Sequence, residues 1–172
     1  MKIGVLGTGA VGQTIGTKLV LLGHDVKMGA RDAKNEKAAA WAAKSGEKAS
    51  HGEFADAAAH GEMLFVCTNG MGTLPALRSA GAANLGGKVV VDVSNPLDFS
   101  KGMPPTLFVS NDDSLGEQVQ REFPAAKVVK TLNTVNCNVM VDAARVPGDT
   151  TIFVSGNDAG AKGRVTEILK EW

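Results

Sequence analysis

Two hydrophobic rhythms alternate along this chain: short, nearly continuous apolar runs, and longer segments in which apolar residues recur every three or four positions. Lys2 to Gly7 predicts a buried strand. Val11, Ile15, Leu19 and Leu22 then recur at helical spacing, and Gly23 closes that helix. Asp25 to Met28 predicts a second strand, and Asp32 to Lys44 an Ala-rich helix carrying Trp41, with Asp32 as its cap. Lys48 to Ser50 predicts a short third strand, followed by a short helix from about Glu53 to Ala59. Met63 to Thr68 reads as a central strand, Thr73 to Ala83 as a helix and Lys88 to Val93 as the next strand. Pro96 to Asn111 reads as a long irregular loop. Leu115, Val119 and Phe123 mark a helix stopped by Pro124. Lys127 to Leu132 is strand-like, Asn133 to Ala144 partly helical, and Thr151 to Ser155 strand-like again. Val165, Ile168, Leu169 and Trp172 give a final amphipathic helix, with Trp172 poorly protected at its end.

Strands separated by helices imply βαβ units. The expected architecture is α/β: one Rossmann-like domain over residues 1–172, a doubly wound, mainly parallel sheet with helices on both faces. A hydrophobic content of 44% supplies a proper core and excludes disorder. Lys+Arg and Asp+Glu are 18 each, so no charge excess drives binding to nucleic acid or anionic lipid. No stretch approaches the roughly 20 apolar residues of a membrane span, and the start carries no signal-peptide pattern, so a cytoplasmic location is expected. The two cysteines, Cys67 and Cys137, read as small buried hydrophobes, not as a disulfide framework or a metal site.

The strongest chemical signal is Gly7-Thr8-Gly9-Ala10-Val11-Gly12, a G-x-G-x-x-G loop after a strand and at the opening of a helix. Gly7 permits the tight turn, Gly9 the approach of a pyrophosphate, and Gly12 close helix–strand packing. The helix N-terminus offers free N–H groups and a positive dipole end to phosphates. Many NAD binders place a carboxylate at the end of the second strand. Here the chain reads Gly29-Ala30-Arg31-Asp32. An arginine pairs with a 2′-phosphate that a carboxylate would repel, so NADP(H) is the expected cofactor, held at Ala30 and Arg31. Thr68-Asn69, Ser94-Asn95 and Asn133-Thr134 end three later strands and are expected around the nicotinamide.

No acid–base residue is expected there. His24 and His60 precede strands and so lie at the wrong edge; His51 follows the predicted third strand on the adenosine side. Lys130 lies within a strand of undetermined facing, and Asp92 reads as a bonded core carboxylate. No second domain is expected to enclose a small polar metabolite. A planar redox acceptor suits such a site, because hydride passes directly between stacked rings.

The segments Met1 to Gly12, Gly23-His24-Asp25-Val26, Gly29-Ala30-Arg31-Asp32, Asp92-Val93-Ser94-Asn95-Pro96-Leu97 and Val129-Lys130-Thr131-Leu132-Asn133-Thr134 carry a resemblance. Together they resemble the NADPH-dependent coenzyme F420 reductases (F420:NADP oxidoreductases), a family that includes the reductase domains of STEAP-type metalloreductases. The resemblance implies an NADP-dependent oxidoreductase, with phosphate contacts from Thr8, Ala10 and Val11 and a 2′-phosphate site at Ala30 and Arg31. The family typically has Ser or Thr before that arginine; Ala30 lacks the hydroxyl, so one phosphate bond is lost or moved to the backbone. The resemblance also implies a deazaflavin (coenzyme F420) or flavin-like acceptor. Family members continue with a further strand and helices that help form a dimer and the deazaflavin site; this chain is expected to lack that extension. Two alternatives stand beside this reading: reduction of another acceptor, ferric or quinone-like, and a non-catalytic NADPH-sensing module. A homodimer is expected, its second subunit near the open crevice or the last helix.

Overall fold

The computed structural model describes residues 1–172. Its first half runs β1 (Lys2–Leu6), α1 (Ala10–Leu21), β2 (Asp25–Ala30), α2 (Glu36–Ser45), β3 (Ala49–Glu53), α3 (Phe54–His60), β4 (Met63–Val66), α4 (Gly70–Ala80), α5 (Ala82–Leu85) and β5 (Val89–Asp92). It continues with β6 (Leu97–Asp98), β7 (Thr106–Leu107), α6 (Leu115–Glu122), β8 (Lys127–Thr131), α7 (Cys137–Met140), a 3₁₀ turn at Ala143–Arg145, β9 (Val154–Ser155) and α8 (Ala159–Leu169).

The seven-stranded sheet has the order β3-β2-β1-β4-β5-β8-β9. All its pairs are parallel except β8 with β9. The strand order turns outward in both directions from β1, so the crevice of a doubly wound sheet opens where β1 meets β4. Strand alternation divides the core into two layers. Ile3, Val5, Met63, Phe65, Val89 and Val91 face α1, α2 and α8; Leu64, Val66 and Val90 face α3, α4 and α6. Small residues let the helices lie close to the sheet: a Cβ on Gly29 would come within 2.9 Å of the Ala57 methyl carbon.

Several expectations need correction. Asp32 does not cap α2; its carboxylate accepts from Lys34 N–H at 2.8 Å in a tight turn, and Asn35 caps the helix by accepting from Ala38 N–H at 3.0 Å. The first turn of the predicted helix is therefore spent on the loop. Strand β2 runs two residues beyond Met28, to Ala30, and β3 runs to Glu53, so His51 lies within that strand rather than after it. Helix α4 begins at Gly70, because Asn69 caps it at Gly72 N–H, 2.7 Å away. The Pro96–Asn111 loop contains the antiparallel hairpin β6–β7. Trp172 is folded back rather than left unprotected, stacking on Phe65 with ring centroids 6.0 Å apart.

Candidate dinucleotide and nicotinamide site

The glycine loop begins as β1 ends. Gly7 has φ +125°, a left-handed geometry that disfavours any side chain, and its N–H donates to the Gly29 carbonyl at 3.0 Å. That bond sets the loop beside the end of β2, where Ala30 is buried and Arg31 and Asp32 are exposed. The loop is pinned from α1 as well, since Gln13 Nε2 donates to the Thr8 carbonyl at 2.9 Å. Gly12 packs against Gly7 so closely that a Cβ there would run into the Gly7 carbonyl oxygen. Gly9 differs in kind: its φ of −77° suits any residue, and a Cβ on it would meet nothing within 4 Å. Neither backbone geometry nor protein packing asks for glycine at position 9.

Helix α1 has no side-chain cap and no acidic residue in its first turn, whereas α2, α4, α6 and α8 each have a side chain accepting from the first turn. The N–H groups of the first turn of α1 thus receive no side-chain cap, as an anion site requires. Arg31 forms no ion pair with any carboxylate of the chain.

Beyond the loop lies a crevice of about 600 Å³ at the carboxyl ends of β4, β5 and β8. Val11, Thr68, Asn69, Asn95 and Asn133 line it, with Cys67, Cys137, Met71 and Phe99. The structure therefore brings the three predicted polar strand ends together. It also shows how their side chains are engaged. Asn69 Oδ1 is the α4 cap, and Thr68 Oγ1 lies 3.2 Å from Thr73 Oγ1. Asn95 Nδ2 donates to the Asn133 carbonyl at 2.7 Å, and Asn133 Nδ2 returns a bond to Asn95 Oδ1 at 3.1 Å.

No histidine or lysine lines the crevice. His24 contacts the chain's N-terminal nitrogen at 3.3 Å, and burial followed by that ammonium's charge holds its pKa below the usual value. His60 lies 3.3 Å from the Asp25 carboxylate. His51 sits on β3, which β2 and β1 separate from β4. Burial, and then the nearby Asp92 charge, push the Cys67 thiol well above its ordinary pKa, so it stays protonated.

Sequence reasoning missed the arrangement beneath the crevice floor. Asp92, fully buried, receives Ser94 N–H and Oγ–H on Oδ1 at 2.9 and 2.6 Å and Lys130 Nζ on Oδ2 at 3.0 Å. Lys130 Nζ also donates to the Ser94 carbonyl. The sequence signal was a charged residue ending each of two apolar strand runs; their facing each other depends on register.

The sheet order, the glycine loop on an uncapped helix and the arginine after β2 define a Rossmann-type dinucleotide-binding protein. Residues 2–96 match the family described as NADP oxidoreductase, coenzyme F420-dependent. The chain belongs to that family, and it is an NADP-dependent oxidoreductase. It is 52% identical to a crystal structure from Arthrobacter sp. FB24 assigned as an F420-dependent NADP-reductase, with a TM-score of 0.94, covering 99% of this chain and 80% of that one. It is 28% identical to the F420-dependent NADP reductase of Methanothermobacter marburgensis over 99% of this chain and 80% of that protein. It is 29% identical to the rat metalloreductase STEAP3 over 98% of this chain, which spans only 32% of that protein. No helix is long and apolar enough to cross a membrane.

Proposed function

We propose that the chain transfers hydride between NADPH and a planar acceptor, a deazaflavin of the coenzyme F420 type or a flavin, without an essential acid–base side chain. In this reading Gly7, Thr8, Gly9, Ala10, Val11 and Gly12 receive the pyrophosphate. Ala30 and Arg31 receive the 2′-phosphate, the arginine supplying charge-assisted bonds and the Ala30 backbone standing in for a missing hydroxyl. Thr68, Asn69, Asn95 and Asn133 wall the nicotinamide. The observation that carries the reading is Gly9: a glycine that the fold does not require, below an uncapped helix terminus, is explained by a ligand whose phosphates need the space.

NADPH supplies the hydride when bound. The chain's own part is to align the rings, exclude water and offer no competing proton donor, which fits a crevice whose titratable side chains are Cys67, Cys137 and Asp98. Met71 and Phe99, 62% and 55% exposed, flank that crevice and are suited to covering by an acceptor ring or a second subunit, so a homodimer working in the cytoplasm belongs to the proposal.

The test is NADPH oxidation with coenzyme F420, free flavin and ferric chelates as separate acceptors. Direct reduction of F420 or flavin is expected. Ferric reduction without flavin would overturn the choice of acceptor, and tight NADPH binding with no turnover on any acceptor would leave a sensing module.

A further inference from the structure

We propose that the buried Asp92–Lys130 pair is a positioning device that sets the Ser94–Asn95 turn and, through it, the Asn95–Asn133 bridge walling the nicotinamide side of the crevice. The proposal rests on the crevice reading given above.

Each of the two charges follows a run of buried valines. Asp92 follows Val89-Val90-Val91 on β5, and Lys130 follows Val128-Val129 on β8; the register pairs them directly. The Asp92 side chain is 1% exposed and that of Lys130 24%. A buried ion pair is a poor source of net stability, because desolvation consumes most of its Coulomb gain and an apolar pair of similar size does as well. What it supplies is direction. Asp92 holds the N–H and hydroxyl of Ser94 while Lys130 holds the carbonyl of the same residue, so the peptide units on either side of Ser94 are both fixed.

The next residue is Asn95, whose amide exchanges two hydrogen bonds with Asn133. These two residues line both the crevice and a second cavity of about 600 Å³ into which Lys130 faces, so their bridge is the partition between the two. On the β8 side the chain reaches Asn133 through Leu132, which holds φ +63° although buried and not glycine. A non-glycine side chain is disfavoured in that region, and it persists where neighbours over-determine it. Lys130 anchors one side of that residue and the Asn133 bridge the other. The grip extends to α4 as well. The Thr73 hydroxyl lies 3.1 Å from Ser94 Oγ and 3.2 Å from the Asn69 carbonyl, and a Cβ on Gly70 would run into the Asn95 carbonyl. All three polar strand ends around the crevice are therefore referenced to Ser94, and Ser94 to the ion pair.

The test compares Kd for NADP⁺ with Kd for the same nucleotide lacking nicotinamide, 2′-phospho-ADP-ribose, so that it needs no acceptor. The variants are Lys130→Met and the charge-neutral double variant Asp92→Asn/Lys130→Met, since the single change strands a buried carboxylate. The parent protein is expected to bind NADP⁺ more tightly than the truncated nucleotide. In the variants that ratio is expected to fall by about fivefold or more, the usual scale of coupling within one network, while Kd for the truncated nucleotide stays within about twofold. An unchanged ratio, an equal weakening of both nucleotides, or a double variant that no longer melts cooperatively would each overturn the positioning role. A parent protein that does not distinguish the two nucleotides would remove the reading of the crevice itself, and this proposal with it.

Discussion

The carbonyl oxygen of Gly7 occupies the space that a side chain on Gly12 would need, whereas the space beside Gly9 is free of protein atoms within 4 Å. One motif thus contains glycines held for different reasons. Gly12→Ala should destabilise the fold by about 1–3 kcal/mol, the cost of forcing a methyl into a packed contact. Gly9→Val should keep its melting temperature to within a few degrees, in line with the sub-kilocalorie scale of ordinary surface changes, but lose the added stability that NADPH gives the parent. Thermal melts with and without NADPH measure both. A Gly9→Val protein still stabilised by the nucleotide would show that the pyrophosphate lies elsewhere.

Arg31 is exposed, without a carboxylate partner, and beside the loop. Arg31→Ala is expected to weaken NADPH binding by about 1–3 kcal/mol, the scale of a charge-assisted bond to phosphate, and to leave NADH binding nearly unchanged. Parallel fluorescence titrations decide the matter, and equal losses for the two nucleotides would rule out the 2′-phosphate role.

Hydride transfer should survive removal of His51 and of either cysteine of the crevice. His51→Ala, Cys67→Ala and Cys137→Ala are expected to keep single-turnover rates within about tenfold, because a true general acid or base contributes a factor of about 100 or more. A larger drop in one variant that still binds NADPH normally would identify an acid–base residue.

Acid should weaken the protein through carboxylates tied to α6 and α8. Hydrogen bonds from Arg121, then Gln118, hold the Asp113 carboxyl well below its usual range; the Ala161 N–H, then Lys127, lower that of Asp158. Their folded pKa values lie below the unfolded ones, so the unfolded chain takes up protons first. The stabilisation is complete above the ordinary carboxylate pKa of about 4 and is lost as pH falls through the folded values. The melting temperature should therefore be steady from pH 7 to 5 and fall below about pH 4. Arg121→Ala should show a smaller fall between pH 7 and 3 than the parent. An identical fall would mean that the exposed Asp113–Arg121 pair contributes nothing, as many surface pairs do.

Trp172 covers Phe65 from the end of the chain. Trp172→Ala should cost about 1–3 kcal/mol in denaturant unfolding, below the full value for a buried aromatic because its Nε1 is buried without a partner. Sedimentation of the variant should match the parent, since the ring is committed within its own subunit; a shift to a smaller species would place Trp172 in a subunit contact.

The parallel elements were readable because each has both a period and a boundary residue: the glycine loop closes β1, and Gly23 and Gly46 end α1 and α2. Asp32 misled because Asp and Asn serve turns as readily as helix caps, and two candidates stood three residues apart. The hairpin β6–β7 has two residues in each strand, too few for any alternation to register, whereas the strand-like run Thr151 to Ser155 does contain the edge strand β9 at Val154–Ser155. The crevice could be anticipated as three polar strand ends, since topology alone gathers them. The Asn95–Asn133 exchange and the Asp92–Lys130 pair could not, because partners 38 positions apart meet only when β5 and β8 adopt one register.

The groove is assembled from separate parts of the chain. The surfaces near Gly9 and Arg31 belong to β1, α1 and the end of β2, whereas the crevice, apart from Val11 of α1, is lined by the segments that follow β4, β5 and β8. On the proposed reading, substitutions that retune the choice of coenzyme and substitutions that retune what meets it therefore fall largely in different segments. In that reading, a change of electron acceptor needs no rebuilding of the nucleotide-holding half, and a change of nucleotide needs little rebuilding of the other.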